Sequence, residues 1–391
     1  MRFDLKNNKD VSDIYLIGNP QITYFKSVYR RHTNFAIRKH KTENITEGGQ
    51  QNRIPILGDL IKTMSLEINI NMTDDIQIPN NIGTSIIDKV RLRAGQVLIE
   101  ELSGSYINMY LQLNNPMGIS NVYKQNVSDS NISCISGTME QILSLSGGVY
   151  NTTNCSNAEF SVIVPLPFSF TRNTGDSLPL FLFYNTRPLS IELKKRIDTP
   201  ATCTYNLITD YIILTEDEKL RFQSSDNKYL YNQIIEIPTE ISNGETEITI
   251  ENLGNITSIL WNNDMTKNYE YNIKVNNYKL LYKFMSYHYF SKHTLSRSGH
   301  IGCGTGIDQI SNASRVVNND SICLYSFSLL DDINDESISP SGSISSNDNN
   351  IKFVVKNSNT ESDESIILYI NRYNILTVSE EFINLDYQYQ N

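Results

Sequence analysis

Short alternating runs of apolar and polar residues, broken by turn formers, dominate the chain, and sustained helical periodicity is scarce. In "DKVRLRAGQVLIEEL" the apolar positions Val90, Leu92, Val97 and Ile99 flank an Ala-Gly-Gln turn, which predicts a β-hairpin. "EFSVIVPLPF" alternates at Phe160, Val162 and Val164 until two prolines, which cannot donate to a ladder, end the pairing. "LPLFLFYNTRPLSIELKK" predicts a buried run, a turn and another strand, and "NLITDYIIL" predicts a strand. Thr215 and Glu218 then have capping-box spacing, so a short helix starts in "TEDEKLRF". Further strands are expected in "YNQIIEI", "TEITIENL", "ITSILW", "YNIKVNNYKLLYKF", "SICLYSFSLL", "IKFVV" and "SIILYINRYNIL", with Asn243-Gly244 as a turn.

These strands fall into two halves of similar length, which predicts two β-sandwiches in tandem rather than one large barrel. The seam is expected near "KKRIDTPATCTYN", residues 197 to 206. The expected organisation is an N-terminal arm over residues 1–22, a first domain over 23–200 and a second over 201–391. Polar tracts such as "NNPMGISNVYKQNVSDSN", "SRSGHIGCGTGIDQISNAS" and "SPSGSISSNDNN" are expected as long loops.

Composition supports a globular, strand-rich protein: 391 residues, 39% hydrophobic and 19% charged, with 23 Tyr. The net charge of −10 argues against a chain whose main task is coating nucleic acid, which needs a surplus of cations. No sequence-specific nucleic-acid binding is therefore expected. Five cysteines, Cys134, Cys155, Cys203, Cys303 and Cys323, lack close pairing and read as reduced, mostly buried thiols. The N-terminus has no apolar signal-like region, and no uncharged run of about 18 apolar residues occurs. Neither a standard secretory route nor a membrane span is expected. Asn-x-Ser/Thr sequons at Asn44, Asn71, Asn131, Asn255 and Asn312 are then read as chance products of the composition.

No constellation points to catalysis. His288, His293, His300 and Cys303 cluster in sequence, but their spacing fits no familiar metal site. Gly302, Gly304 and Gly306 lack the Lys-Ser/Thr and the strand-loop-helix context of a phosphate loop. The acidic clusters "TEDE", "LLDDINDE" and "TESDES" lack calcium-loop spacing. No catalytic residue, metal or cofactor is expected. The unusual segment is basic: between Ile14 and Thr42 no acid occurs, while Lys26, Arg30, Arg31, Arg38, Lys39 and Lys41 do. Such a block suits nucleic acid, an anionic membrane or acidic residues of a neighbouring subunit. Phe25, Val28 and Tyr29 have the spacing of one face of a helical turn, and Phe35 and Ile37 alternate as a strand begins.

"IYLIGNPQITYFKSVYRRHTNFA" resembles the N-terminal signature of the major capsid proteins of nucleocytoplasmic large DNA viruses, such as chlorella viruses, iridoviruses and mimiviruses. "DKVRLRAGQVLIEELSGSYINMYLQL", "IVPLPFSFTRNTGDSLPLFLFYNTRPLSIELK" and "LITDYIILTEDEKLRF" are similar to later family segments in the family's order. Tyr106 departs from it, standing where many relatives carry Trp. The resemblance implies an all-β fold, a double jelly roll of two eight-stranded sandwiches with short helices in loops. It implies a homotrimeric, pseudo-hexagonal capsomer in the icosahedral virion capsid, assembled in the host cytoplasm, or else a minor, paralogous or scaffolding relative. Expected partners are neighbouring capsomers, minor capsid proteins and the internal viral membrane, with glycans on outer loops. Lys26, Arg30, Arg31 and Arg38 are then expected to make inner-face or assembly contacts, with Phe25, Val28, Tyr29 and Phe35 anchoring the N-terminal segment.

Overall fold

The computed structural model describes residues 19, 21–27, 31–72, 82–114, 122–127, 158–183, 187–196, 202–224, 227–264, 267–294, 320–329, 340–357, 364–378 and 383–385. Contacts divide the chain into residues 1–34 and residues 35–391, so the N-terminal unit runs beyond the expected arm. In chain order the first strands are β1 (Ala36–Thr42), β2 (Gln51–Arg53), β3 (Leu60–Met72), β4 (Ile87–Ala94), β5 (Val97–Ser103), β6 (Val122–Val127), β7 (Ala158–Pro165), β8 (Leu178–Pro179), β9 (Leu189–Lys195) and β10 (Thr202–Ile213). They form a first sheet ordered β1-β10-β3-β7-β6 and a second ordered β2-β9-β4-β5.

The remaining strands repeat this plan. They are β11 (Asn227–Ile241), β12 (Gly244–Ile250), β13 (Asn255–Asp264), β14 (Tyr269–Val275), β15 (Tyr278–Lys279), β16 (Met285–Ser286), β17 (Asp320–Ser326), β18 (Ile344–Ser345), β19 (Ile351–Asn357), β20 (Glu364–Val378) and β21 (Ile383–Leu385). The third sheet runs β11-β20-β13-β17 and the fourth β12-β19-β14-β15, with β16 also on β14. In each sandwich the last long strand inserts beside the first and third, while in the facing sheet the second and fourth flank the penultimate one and the fifth pairs with the fourth. That order is a jelly roll, made twice.

Thr202–Ile213 lies elsewhere than expected. It does not open a second domain at residue 201; it is the inserted strand of the first sheet, pairing Ile213 with Ala36 and Leu207 with Leu66. A jelly roll's last strand pairs with partners more than a hundred residues away, which local alternation does not report. The chain leaves the first sandwich through a short helix, Glu216–Gln223, starting where Thr215 and Glu218 predicted. Thr215 caps it through its carbonyl, which accepts from the Glu218 and Lys219 amides; its side chain makes no cap bond. "SPSGSISSNDNN", expected as loop, contributes the two-residue strand β18.

Local chemistry explains the hairpins. The β4–β5 turn has Gly95 at φ +57°, a left-handed conformation that side chains resist. Asn276 and Asn277, at φ 50° and 68°, make the tight β14–β15 turn of a type I′ hairpin, which asparagine tolerates. Gly104 opens the helix Gly104–Asn114, where a Cβ would stand 2.2 Å from the Ile87 carbonyl oxygen and 2.3 Å from that of Thr84.

The centre of the third sheet is buried on both faces. Alternate residues serve two cores: Ile259, Trp261, Cys323, Leu368 and Ile370 face the fourth sheet, while Leu260, Ile322, Leu324 and Tyr369 join the core of the first sandwich. Trp261 centres the far core, with ring centroids 4.8 Å from Phe353, 5.0 Å from Phe290 and 5.2 Å from Tyr271. The four sheets therefore stack in order, the second against the third. Trp261→Ala should lower stability by about 3–5 kcal/mol and Leu324→Ala by about 2–5 kcal/mol. Because one sheet serves both cores, both substitutions should shift a single denaturant transition; two separate transitions would contradict the shared wall.

Candidate assembly surfaces and the seam between sandwiches

The N-terminal unit is open where it is described. Ile22 and Tyr24 are exposed, Phe25 is 99% exposed in a turn, and Lys26 and Arg31 are exposed beside it. Val28, Tyr29 and Arg30 lie outside the described residues. The strand expected from Phe35 and Ile37 forms as β1, an edge strand of the first sheet. Phe35 remains 58% and Ile37 53% exposed, and Arg38 is exposed between them and Lys39. Lys39 and Lys41 reach across the sheet to Asp210, at 3.7 Å, and to Glu67. Of the expected histidine and glycine clusters, His300, Cys303 and Gly302 to Gly306 fall outside the described residues, while His288 is exposed.

A second candidate is a charged pair sealed where the sandwiches meet. Glu100 of β5 is completely buried, and Arg172, which ends the helical turn Ser169–Arg172, keeps only a small part of its side chain exposed. Their nearest atoms are 4.0 Å apart. Glu100 Oε2 accepts from the Ser169 amide at 2.9 Å, and Ser169 Oγ in turn accepts from the Asn232 amide of β11 at 2.9 Å. Arg172 Nε donates to the Pro167 carbonyl at 3.1 Å, and its guanidinium stands 5.0 Å from the Tyr110 ring centroid. The Tyr231 hydroxyl donates to the Ile99 carbonyl at 3.0 Å, and Tyr106 packs on Tyr369 at 5.8 Å. Side chains of both sandwiches thus close over one ion pair. Burial pushes the Glu100 carboxyl up to about 7, only partly offset by the Arg172 charge and the Ser169 amide. Tyr231 is raised by the same desolvation.

Residues 23–217 match the family model described as major capsid protein N-terminus. A curated relative, the major capsid protein of Pyramimonas orientalis virus, is 31% identical over 235 residues, 57% of this chain and 55% of that one. The major capsid protein of Paramecium bursaria Chlorella virus 1 is 26% identical over 238 residues, 57% of this chain and 50% of that protein. The chain belongs to the major capsid protein family of the nucleocytoplasmic large DNA viruses. It spans about half the length of the curated relatives it matches. Among solved structures, the capsid protein VP54 of PBCV-1 superposes with a TM-score of 0.67 at 18% identity, covering 94% of this chain and 100% of that one, so the fold is the double jelly roll.

Sequence reasoning about this capsid-family chain missed the seam. Glu100 and Glu101 are adjacent in "VLIEEL", yet one enters the core and the other bonds Lys89 and Arg91 outside. Parity along β5 decides this, and a register shift between Leu92 and Arg93 obscures it. The available signal was Arg172, a lone cation in the apolar run "VPLPFSFTRN". Tyr106, noted as a departure from family Trp, is fully buried here, its hydroxyl 3.5 Å from Arg172.

Because the folded-state value of Glu100 lies above its ordinary 4.5, folding favours the protonated form. The associated stability is complete below about 4.5 and is lost as pH rises through about 7. The loss should reach about 3 kcal/mol, and Glu100→Gln should abolish it, read as denaturant stability from pH 5 to 8. Identical pH profiles for both proteins would refute this. Arg172→Met, which leaves the carboxyl without its cation, should cost about 3–5 kcal/mol at pH 8.

Proposed function

We propose that this chain is a structural subunit of a viral shell, acting by assembly and without catalysis. Three copies, each with two similar jelly rolls, form a capsomer of six lobes with pseudo-hexagonal outline, and capsomers tile an icosahedral capsid assembled in the host cytoplasm. The observation that carries this reading is the repeated strand order, which stacks the sheets as first-type, second-type, first-type, second-type and leaves two unlike sheets outermost. Unlike outer faces suit head-to-tail contacts that close into a ring. Glu100, whose carboxyl is raised by burial, is sealed in the seam between the sandwiches.

The N-terminal unit is the inner-face contact in this reading. Phe25, Val28 and Tyr29 seat on a neighbouring protein, and Lys26, Arg30, Arg31 and Arg38 meet minor capsid proteins or the anionic surface of the internal viral membrane. Outer loops remain for glycans. Copy number in purified particles, read by quantitative mass spectrometry, separates the main shell protein from a minor paralogue.

Arg30→Glu with Arg31→Glu should leave stability within about 0.5 kcal/mol, as surface changes do, while shell formation or flotation with anionic vesicles is lost. A charge-reversed protein that still assembles on membrane would sink the inner-face role. A wild-type protein that stays monomeric in size-exclusion chromatography with light scattering would sink the capsomer.

A further inference from the structure

The two jelly rolls meet inside the chain through equivalent edges. β5, the edge of the second sheet, packs on β11, the edge of the third, with the Tyr231 hydroxyl bonded to the Ile99 carbonyl and Glu236 beside Ser103. By strand order, β15 and β16 hold in the fourth sheet the place that β5 holds in the second. β1 holds in the first sheet the place of β11 in the third. The within-chain contact is thus fifth-strand edge on first-strand edge, and among the described residues one more edge of each kind is left uncovered.

Both edges carry exposed apolar side chains. Tyr278, Leu280 and Tyr282 project at alternate positions, 78%, 43% and 85% exposed. They are held in place: Leu281 between them is buried, and the buried Asn272 amide donates to the Leu281 and Lys283 carbonyls at 3.2 and 2.9 Å. The Lys279 ammonium lies over the Phe284 ring at 4.9 Å, and the Lys283 ammonium lies over one face of the Tyr282 ring at 5.5 Å. On the other edge stand Phe35, Ile37 and Arg38. A flat edge strand with exposed apolar side chains is a template for another chain unless something covers it.

We infer that the Tyr278/Leu280/Tyr282 stripe docks on β1 of a second copy of this chain, repeating between copies the β5-on-β11 contact made within each. The inference rests on the oligomeric reading above and assigns its interface. Phe35 and Ile37, which share one face, pack on the tyrosine rings. The contact joins two different patches, so it propagates head to tail and closes when the ring is complete.

The test uses the full-length chain. Cysteine at position 35 or 37, combined with cysteine at 278, 280 or 282, should give a covalently closed oligomer on non-reducing gels for at least one pairing, and no single-cysteine variant should. Tyr278→Ser with Tyr282→Ser should weaken oligomer formation about tenfold or more, as loss of aromatic anchors does, without changing the thermal melt of the monomer. A trimeric wild type in which no pairing cross-links and the serine variant assembles normally would overturn the interface and leave the capsomer reading intact. Serine-variant trimers that instead fail to form sheets, or lose binding to anionic vesicles, would reassign the stripe to another partner and also overturn it. A monomeric wild type would remove the capsomer reading itself, and the interface with it.

Discussion

One sheet that packs on both faces holds the molecule together. In β13, β17 and β20, successive side chains point into two different cores, so Trp261 and Leu260, neighbours in sequence, stabilise different sandwiches. A sheet used this way needs apolar residues at both parities, which is why "ITSILW" and "SICLYSFSLL" read as continuous rather than alternating runs. It also removes the freedom of two tandem domains to move about a linker, since parting them would expose the face carried by Leu260, Ile322, Leu324 and Tyr369.

Polar groups caught by that closure must be satisfied in place. Asn232, Ser169 and Glu100 form a relay of hydrogen bonds across the seam, while carbonyl and ring partners hold Arg172. In the second sandwich the buried Arg372 is met by the side-chain oxygen of Gln233, at 2.6 and 3.0 Å, and by the Leu253 carbonyl at 2.9 Å. Such groups add little net stability compared with apolar substitutes, but misplacing either partner is costly, so they penalise wrong registers between sandwiches.

Alternation along single strands was legible in the sequence, as were the turns at Gly95 and Asn243-Gly244 and the helix after Thr215. Each depends on neighbours within a few residues. The order of strands was not legible: nothing local distinguishes "NLITDYIIL" as the last strand of one sandwich from the first of the next, because pairing with β1 and β3 spans the whole first jelly roll. The basic segment was legible as unusual, but the exposure of Phe25, Phe35 and Ile37 was not, since spacing predicts an apolar face without saying whose surface covers it.

The charge distribution follows the same logic of covered and uncovered surface. On the second sheet Lys89 and Arg91 bond Glu101, and Arg93 bonds Glu192 at 2.8 Å; on the fourth, Glu247 bonds Lys274 and Lys352. The two lysines pull the Glu247 carboxyl down to about 2. These ladders offset most of the charge on the sheets that carry them, leaving one cation in excess in each. From Ile14 to Thr42, by contrast, no acid intervenes in a chain of net charge −10, so the cations there find carboxylates only on other segments, as Lys39 and Lys41 do. Arg38, on the exposed edge between those apolar and cationic neighbours, points to where the chain's own sheets stop covering one another. A fold that packs both faces of its third sheet while leaving β1 and the Tyr278–Tyr282 stripe open presents two unlike edges, which is what a subunit requires if it is to join others in a single orientation.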